Sequence, residues 1–326
     1  PRARRPGGPP VLQHFKSVHF IAPQLADAAL ARPAMLYFVF NPHTIAVLVA
    51  HNIAQGEWVA QLPFFPGLQD GDALDAEACA AQIAACIGGA AHGASAVPFD
   101  VVSCGSWAMS AKVAQRLSVG RVHLLGDAAH QFPPAGAFGA NTGLQDAHNL
   151  CWKIGAVHHD AAPPSLLATY DAERRPVATE NARLSVHNYH RGLRVASALG
   201  LPTELPHTLG RVATALKEAA PAAAVAAVGA ATRPVGGVHG IGSALLQLGR
   251  QQLMGIAGHE ARHPLGRYRR VAASAVVDAG AALPLLFGRH ELGFTYDGPG
   301  AAVARADSAT AGAAADAGAG AGAGAG

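Results

Sequence analysis

Four runs between residues 11 and 62, VLQHFKSVHFIA, AMLYFVF, TIAVLVAHNI and EWVAQLPF, are dense in β-branched and aromatic residues. They predict strands. Asn41-Pro42-His43 and Ala54-Gln55-Gly56 separate the runs as hairpin turns do, so the expected arrangement is an antiparallel meander. A lone meander must bury one face, and covering a pocket is a role that suits it. Residues 75–87, DAEACAAQIAACI, are alanine-rich with acidic residues in the first turn, which predicts a helix. Residues 97–109 return to strand, and Ser110–Ser118 lead out of it.

The pattern changes over residues 120–157. Val122, Leu124 and Leu125 form a short apolar run between Gly120 and Gly126, which predicts a buried central strand. Asp127 follows at the strand's end. Pro133, Pro134, Gly136 and Gly139 then give a loop with little side-chain bulk, where backbone can approach a ligand. Leu144, Ala147, Cys151 and Ile154 are spaced three, four and three apart and predict one face of an amphipathic helix. A carboxylate at a strand end, a Gly-rich loop and a helix N-terminus are the parts of a cofactor site in an α/β sheet.

Residues 165–190 predict a further helix, with Pro176 either in a first turn or at a break. His187 and His190 are three apart on it; with no third ligand in view they read as surface residues, and no metal is expected. Residues 205–290 are alanine-rich and helical in character, punctuated at Pro221, Pro234 and Pro264. Gly240-Ile241-Gly242 lacks the third glycine and the preceding strand of a dinucleotide loop. From about Ala301 an Ala/Gly tract has no large apolar groups to offset chain ordering. The expected divisions are a disordered segment 1–10, a sheet region 11–118, a cofactor region with its following helix 119–200, a helical region 201–300 and a disordered tail 301–326.

Composition narrows the partners. Half of the 326 residues are hydrophobic, only 14% are charged, and the net charge is +3. No Lys/Arg run marks a nucleic-acid partner, and no apolar run of about 18 residues marks a membrane span. Cys79, Cys86, Cys104 and Cys151 form no CxxC or zinc pattern and read as free, buried thiols in a reducing compartment. Cys79 and Cys86, seven apart, fall on one face of the helix at 75–87 and are expected in its core. The chain opens on Pro1 within a Pro/Arg/Gly-rich stretch, as a fragment would. A soluble protein of the cytoplasm or an organelle is expected, with the compartment itself unread.

Residues 126–153 also carry a resemblance. Gly126-Asp127-Ala128-Ala129-His130, Pro133-Pro134, Gly136, Gly139, Asn141, Gly143, Asp146-Ala147, Asn149-Leu150 and Trp152-Lys153 closely resemble the second FAD-binding segment of the class A flavin monooxygenases, the phenol and para-hydroxybenzoate hydroxylases. Looser matches are Arg32-Pro33-Ala34, Glu57-Trp58, the phrase from Trp107 to Ala111, the phrase from Leu167 to Pro176, and HELGFTY at 290–296. Trp58 and Trp107 are candidates for an aromatic pocket, with sheet packing as the simpler role.

The resemblance implies a mixed α/β (α+β) fold: an incomplete three-layer FAD-binding domain, an antiparallel substrate-covering sheet and C-terminal helices. It implies hydroxylation of a phenolic substrate with NAD(P)H and O2 through a flavin C4a-hydroperoxide, and a homodimer as one assembly. Asp127 would accept a hydrogen bond from a ribityl hydroxyl, and Gly126 would permit the turn that aims it. Pro134 would lie near the reactive edge of the flavin, Gly136 and Gly139 would admit its backbone approach, and the N–H groups of Ala140 and Asn141 would face the pyrimidine edge. No catalytic side chain is assigned; His130 reads as part of the turn, and His148 and Lys153 as facing solvent or neighbouring elements. The family's GxGxxG unit, which holds the ADP half of FAD, is not found in these residues, so weak or no FAD binding is expected of this polypeptide alone. Two other readings stay open: a non-catalytic remnant acting as a binding protein, and a related flavoenzyme that halogenates or reduces a prenyl chain.

Overall fold

The computed structural model describes residues 3–4, 11–31, 33–41, 44–66, 68–69, 74–87, 97–201 and 264–278, with isolated helical positions between 206 and 248. The chain opens with β1 (Ala3–Arg4), β2 (Gln13–Ile21) and α1 (Leu25–Ala31). Next come β3 (Leu36–Phe40), β4 (Ile45–Asn52), β5 (Glu57–Phe64), α2 (Ala76–Ile87) and β6 (Asp100–Met109). The remaining elements are β7 (Lys112–Ala114), β8 (Ser118–Val119), β9 (Val122–His123), β10 (His130–Gln131), α3 (Phe138–His158), α4 (Thr169–Ala198) and α5 (Pro264–Asp278). They fall into two compact units, one of Pro1–Gly8, Ala111–His187 and Pro284–Gly326, the other of Pro9–Ser110 and Asn188–Leu283.

The second of these units is built on a five-stranded antiparallel sheet ordered β3-β4-β5-β2-β6. The four early runs are strands, as their composition predicts, but the order is not a simple meander. α1 carries the chain away after β2, and β2 returns to the middle between β5 and β6. Gly56 makes the β4–β5 connection with φ +68°, where a Cβ would come within 2.4 Å of the Pro23 Cα, so no other residue fits that turn.

Register decides the two faces of this sheet. Val18 lies opposite Ala60 and Cys104, and Phe20 opposite Trp58. Directly opposed residues share a face, and this one is covered by α2 through Cys79 and Ile83. Trp58 is therefore a core residue, 2% exposed. The opposite face carries Phe15 stacked on Trp107 with centroids 5.0 Å apart. Trp107 donates to Gln61 over 2.8 Å, and Gln61 donates to the Ser17 hydroxyl over 3.0 Å. Asp75 caps α2 by accepting from the Ala78 N–H at 2.9 Å.

The other unit contains a three-stranded sheet ordered β1-β7-β10 and a short β8–β9 hairpin, all antiparallel. The apolar run at 122–125 does not form a buried central strand. β9 is two residues long, and Val122 and Leu125 are exposed. Gly120 and Gly126, at φ +59° and +55°, turn the chain on either side, and β9 has β8 as its strand partner among the described residues. α4 runs unbroken through Pro176, and α5 begins at Pro264, where the missing N–H costs nothing.

α3 overturns the expected helix face. Leu144 and Ile154 are 70% and 44% exposed, and Cys151 is exposed too. Its buried residues are Phe138, Thr142, Asp146, Asn149, Leu150 and Lys153. This mostly polar face is inside because each charge on it meets a partner on a neighbouring element. The expectation of buried thiols also fails in part, since Cys104 is exposed as well. His187 and His190 are exposed, and no metal-ligating cluster occurs among the described residues. No helix among the described residues is long and apolar enough to cross a membrane. The HELGFTY phrase, the Gly240-Ile241-Gly242 segment and the Ala/Gly tract lie outside the described residues.

Candidate functional site

The residues from Gly126 to Asn141 form a turn, a loop and the start of α3. Gly126, at φ +55°, opens a single 3-10 turn, Gly126–Ala128. Its backbone packs on α3: a Cβ on Gly143 would stand 3.2 Å from the Gly126 Cα. Asp127, the next residue in the turn, is exposed. Pro134 is exposed, and the Ala137 N–H donates to its carbonyl at 3.0 Å. Gly136 adopts φ +116°, with a would-be Cβ 2.5 Å from the Phe138 ring. Gly139 has open space where a Cβ would stand.

Ala137, at φ +56°, enters α3 in the left-handed region and gives it no side-chain cap. Ala140 and Asn141 lie exposed in the first turn, where Asn141 Nδ2 donates to the Ala137 carbonyl at 3.1 Å. A helix start without a side-chain acceptor presents N–H groups and the positive end of the helix dipole. The turn that packs on α3 through Gly126 and Gly143 carries an exposed carboxylate, Asp127, with acceptor capacity. Together these suit a ligand that carries both hydroxyl groups and an electron-rich edge.

A buried polar network anchors this assembly. Asp146 Oδ2 accepts from His130 Nε2 at 2.7 Å and from the Gly126 N–H at 3.3 Å. Its Oδ1 accepts from Arg174 Nε at 2.8 Å, and all three side chains are fully buried. Arg174 also donates to Gln145 Oε1 at 3.1 Å. Burial alone would raise the Asp146 pKa, but the hydrogen bonds from His130 and Arg174 hold it below the ordinary carboxylate range. An ionised carboxylate only accepts, so His130 Nε2 is the donor of this hydrogen bond. The ring stacks on Phe132 with centroids 4.6 Å apart. His130 is thus a structural part of the turn.

A second buried cluster lies one to two turns further along α3. Lys153 Nζ donates to Glu173 Oε2 at 2.6 Å and to the Thr169 hydroxyl at 2.7 Å. Asn149 donates to the same Glu173 oxygen at 2.7 Å. Lys153 therefore faces its neighbour and is fully buried, whereas His148 is exposed. Tyr170, also buried, donates to the Leu124 carbonyl at 2.8 Å.

Residues 7–185, more than half of the 326, match the family model described as an FAD binding domain. The chain belongs to that FAD-binding family. Among its curated relatives, a putative polyketide hydroxylase of Streptomyces halstedii is 38% identical over 175 residues, 52% of this chain and 30% of the relative. A 2,4-dichlorophenol 6-monooxygenase of Delftia acidovorans is 39% identical over 132 residues, 40% of this chain and 22% of the relative. The chain thus spans less than a third of these relatives' length. The solved structure of the flavin-dependent monooxygenase PieE in complex with FAD and substrate superposes with TM-score 0.62 at 24% identity, covering 91% of this chain and 42% of that one. That likeness concerns the fold, a mixed α/β architecture with an antiparallel sheet and helices.

The residues present fit FAD at one end. Asp127 is an exposed acceptor that suits sugar hydroxyls, in a turn that packs on α3 through Gly126 and Gly143, and the first turn of α3 has no side-chain cap and exposes Ala140 and Asn141. Asp146, Arg174 and Gly143 support this arrangement without a place among the expected ligand-facing residues. Gly143 and Asp146 stand in the motif at 126–153 and Arg174 in the phrase from Leu167 to Pro176, and that membership is the available signal.

Proposed function

We propose that this chain contributes the isoalloxazine- and ribityl-facing part of an FAD site in an NAD(P)H-dependent monooxygenase that hydroxylates a phenolic ring. The observation that carries the reading is an exposed Asp127 in a turn packed on α3, whose own start lacks a side-chain cap, in a family of FAD-binding chains. The names of the relatives, a polyketide hydroxylase and a dichlorophenol monooxygenase, favour an aromatic acceptor.

Reduced flavin supplies the activation of O2 that no amino-acid side chain provides. The chain's own contribution is to bind and orient. Asp127 accepts from ribityl hydroxyls and fixes the sugar chain. The N–H groups of Ala140 and Asn141 stabilise negative charge at the pyrimidine edge, aided by the positive end of α3. Pro134 stiffens the loop beside the reactive edge, while Gly136 and Gly139 keep side-chain bulk away from it. The buried Asp146 holds the Gly126 turn in register with α3 and so sets where Asp127 points.

The test is incubation of the chain with FAD in large excess, which offsets its weak binding, together with NADH or NADPH, 18O2 and a panel of chlorinated and fused-ring phenols, followed by mass spectrometry. One 18O atom per hydroxylated product is expected. Hydroxylated product carrying oxygen from water, or no product from any phenol, overturns the proposal.

A further inference from the structure

The sheet unit holds a second chemical feature, independent of the flavin reading. Cys79, in the first turns of α2, and Cys104, on β6, place their sulfur atoms 3.4 Å apart. They come from different elements, 25 residues apart in sequence. Cys104 lies opposite Val18 on the face that α2 covers, which is why a helix cysteine and a strand cysteine meet. Their exposures differ sharply: Cys79 is fully buried and Cys104 is exposed, on the edge strand of the sheet. The Cys79 thiol also approaches the Leu74 carbonyl at 3.6 Å, which directs its hydrogen away and leaves a sulfur lone pair free to face Cys104.

We infer that Cys79 and Cys104 are a redox pair, a dithiol that hydrogen peroxide closes to an intramolecular disulfide joining α2 to the edge of the sheet. A disulfide needs the sulfurs at about 2.0 Å, so the observed separation of 3.4 Å must shorten on oxidation. Cys104, the more exposed residue of the two, reacts first. The Cys104 thiolate attacks one peroxide oxygen, the O–O bond breaks, and the departing hydroxide takes up a proton as water, leaving a sulfenic acid on Cys104. The Cys79 sulfur then attacks the Cys104 sulfur; the S–S bond forms, the S–O bond breaks, and the leaving hydroxide carries off the Cys79 proton as a second water. Two thiols lose two electrons and two protons, and one peroxide becomes two waters. Burial, then the neighbouring Cys104, pushes the Cys79 thiol up to about 12, so it is protected from direct oxidation and acts as the resolving partner. Cys86, whose sulfur approaches the Thr44 hydroxyl at 4.0 Å, and the exposed Cys151 serve as internal controls.

The experiment exposes the folded chain to stoichiometric hydrogen peroxide, alkylates the remaining thiols, and digests with a protease that cuts before aspartate. Cleavage before Asp75, Asp100 and Asp127 puts Cys79 and Cys86 on one peptide and Cys104 on the next. The expected result is a cross-linked peptide pair, a fall in alkylatable thiols from the four present to about half that number, and full recovery with dithiothreitol. The cross-link survives Cys86→Ser and is lost in Cys104→Ser, whose exposed position tolerates the change. Oxidation raises the thermal midpoint of the parent protein and leaves that of Cys104→Ser unmoved. Four alkylatable thiols after peroxide, sulfinic acid on Cys104 with Cys79 still alkylatable, or a cross-link that forms as fast in denaturant as in the folded chain would each overturn the inference.

Discussion

Arg174 Nε lies 2.8 Å from Asp146 Oδ1, with both side chains fully buried between α3 and α4. The same carboxylate holds His130 and the Gly126 N–H, so one anion ties two helices to the turn that carries Asp127. Breaking a buried pair from one side leaves an uncompensated charge. Asp146→Ala is therefore expected to destabilise the protein by about 3–5 kcal/mol, measured by urea unfolding. Asp146→Asn keeps the shape and part of the hydrogen bonding and costs less. Equal stability of Asp146→Ala and the parent would remove Asp146 from its central place.

The same group sets an acid limit. Its folded-state pKa is depressed below the unfolded value of about 3.9, so its contribution is complete above that pH and is lost as pH falls through the folded value. The urea midpoint should decline below about pH 4, and Asp146→Asn should flatten that decline. An unchanged acid slope in the variant would show that other carboxylates dominate.

Lys153 and Glu173 offer a cleaner separation of burial from pairing. Each single change, Lys153→Met or Glu173→Leu, strands one buried partner and is expected to cost about 3–5 kcal/mol. Because Thr169 and Asn149 also contact the pair, the double variant retains some loss, but less than the sum of the single changes. Additive single costs would mean that the pair does not act as a unit.

Tyr170 tests the packing of the segment before the Gly126 turn. Its hydroxyl donates to the Leu124 carbonyl, and Tyr170→Phe should cost about 1 kcal/mol. Burial, reinforced by the nearby Asp146 charge, raises its pKa above the ordinary tyrosine value. Alkaline absorbance titration should show one tyrosine ionising later than the rest, absent from Tyr170→Phe. A titration unchanged by the substitution would contradict this.

Much of the fold is legible in local pattern. The strands at 13–21, 45–52 and 57–64 and the helix at 76–87 follow from β-branched and alanine-rich runs. What is not legible depends on partners distant in sequence. Asp146, Asn149 and Lys153 lie on a buried face because Arg174 and Glu173 arrive from α4, and hydrophobic periodicity selects the opposite, exposed face through Leu144 and Ile154. The insertion of β2 between β5 and β6, and with it the meeting of Cys79 and Cys104, requires tertiary register. Asp127 stands out from the motif itself, while the anchoring of its turn by Asp146 appears only in three dimensions.

Binding of FAD and of FMN to this chain and to its Asp127→Ala variant, followed by quenching of flavin fluorescence, tests the central claim most directly. FMN keeps the isoalloxazine and ribityl groups and lacks the adenosine half. The account predicts weak binding of both, with dissociation constants within about threefold of each other, and an equal loss of about tenfold or more in Asp127→Ala, as removal of a hydrogen bond to a charged group produces. Affinity for FAD far above that for FMN, or affinity for either that Asp127→Ala leaves unchanged, would contradict it.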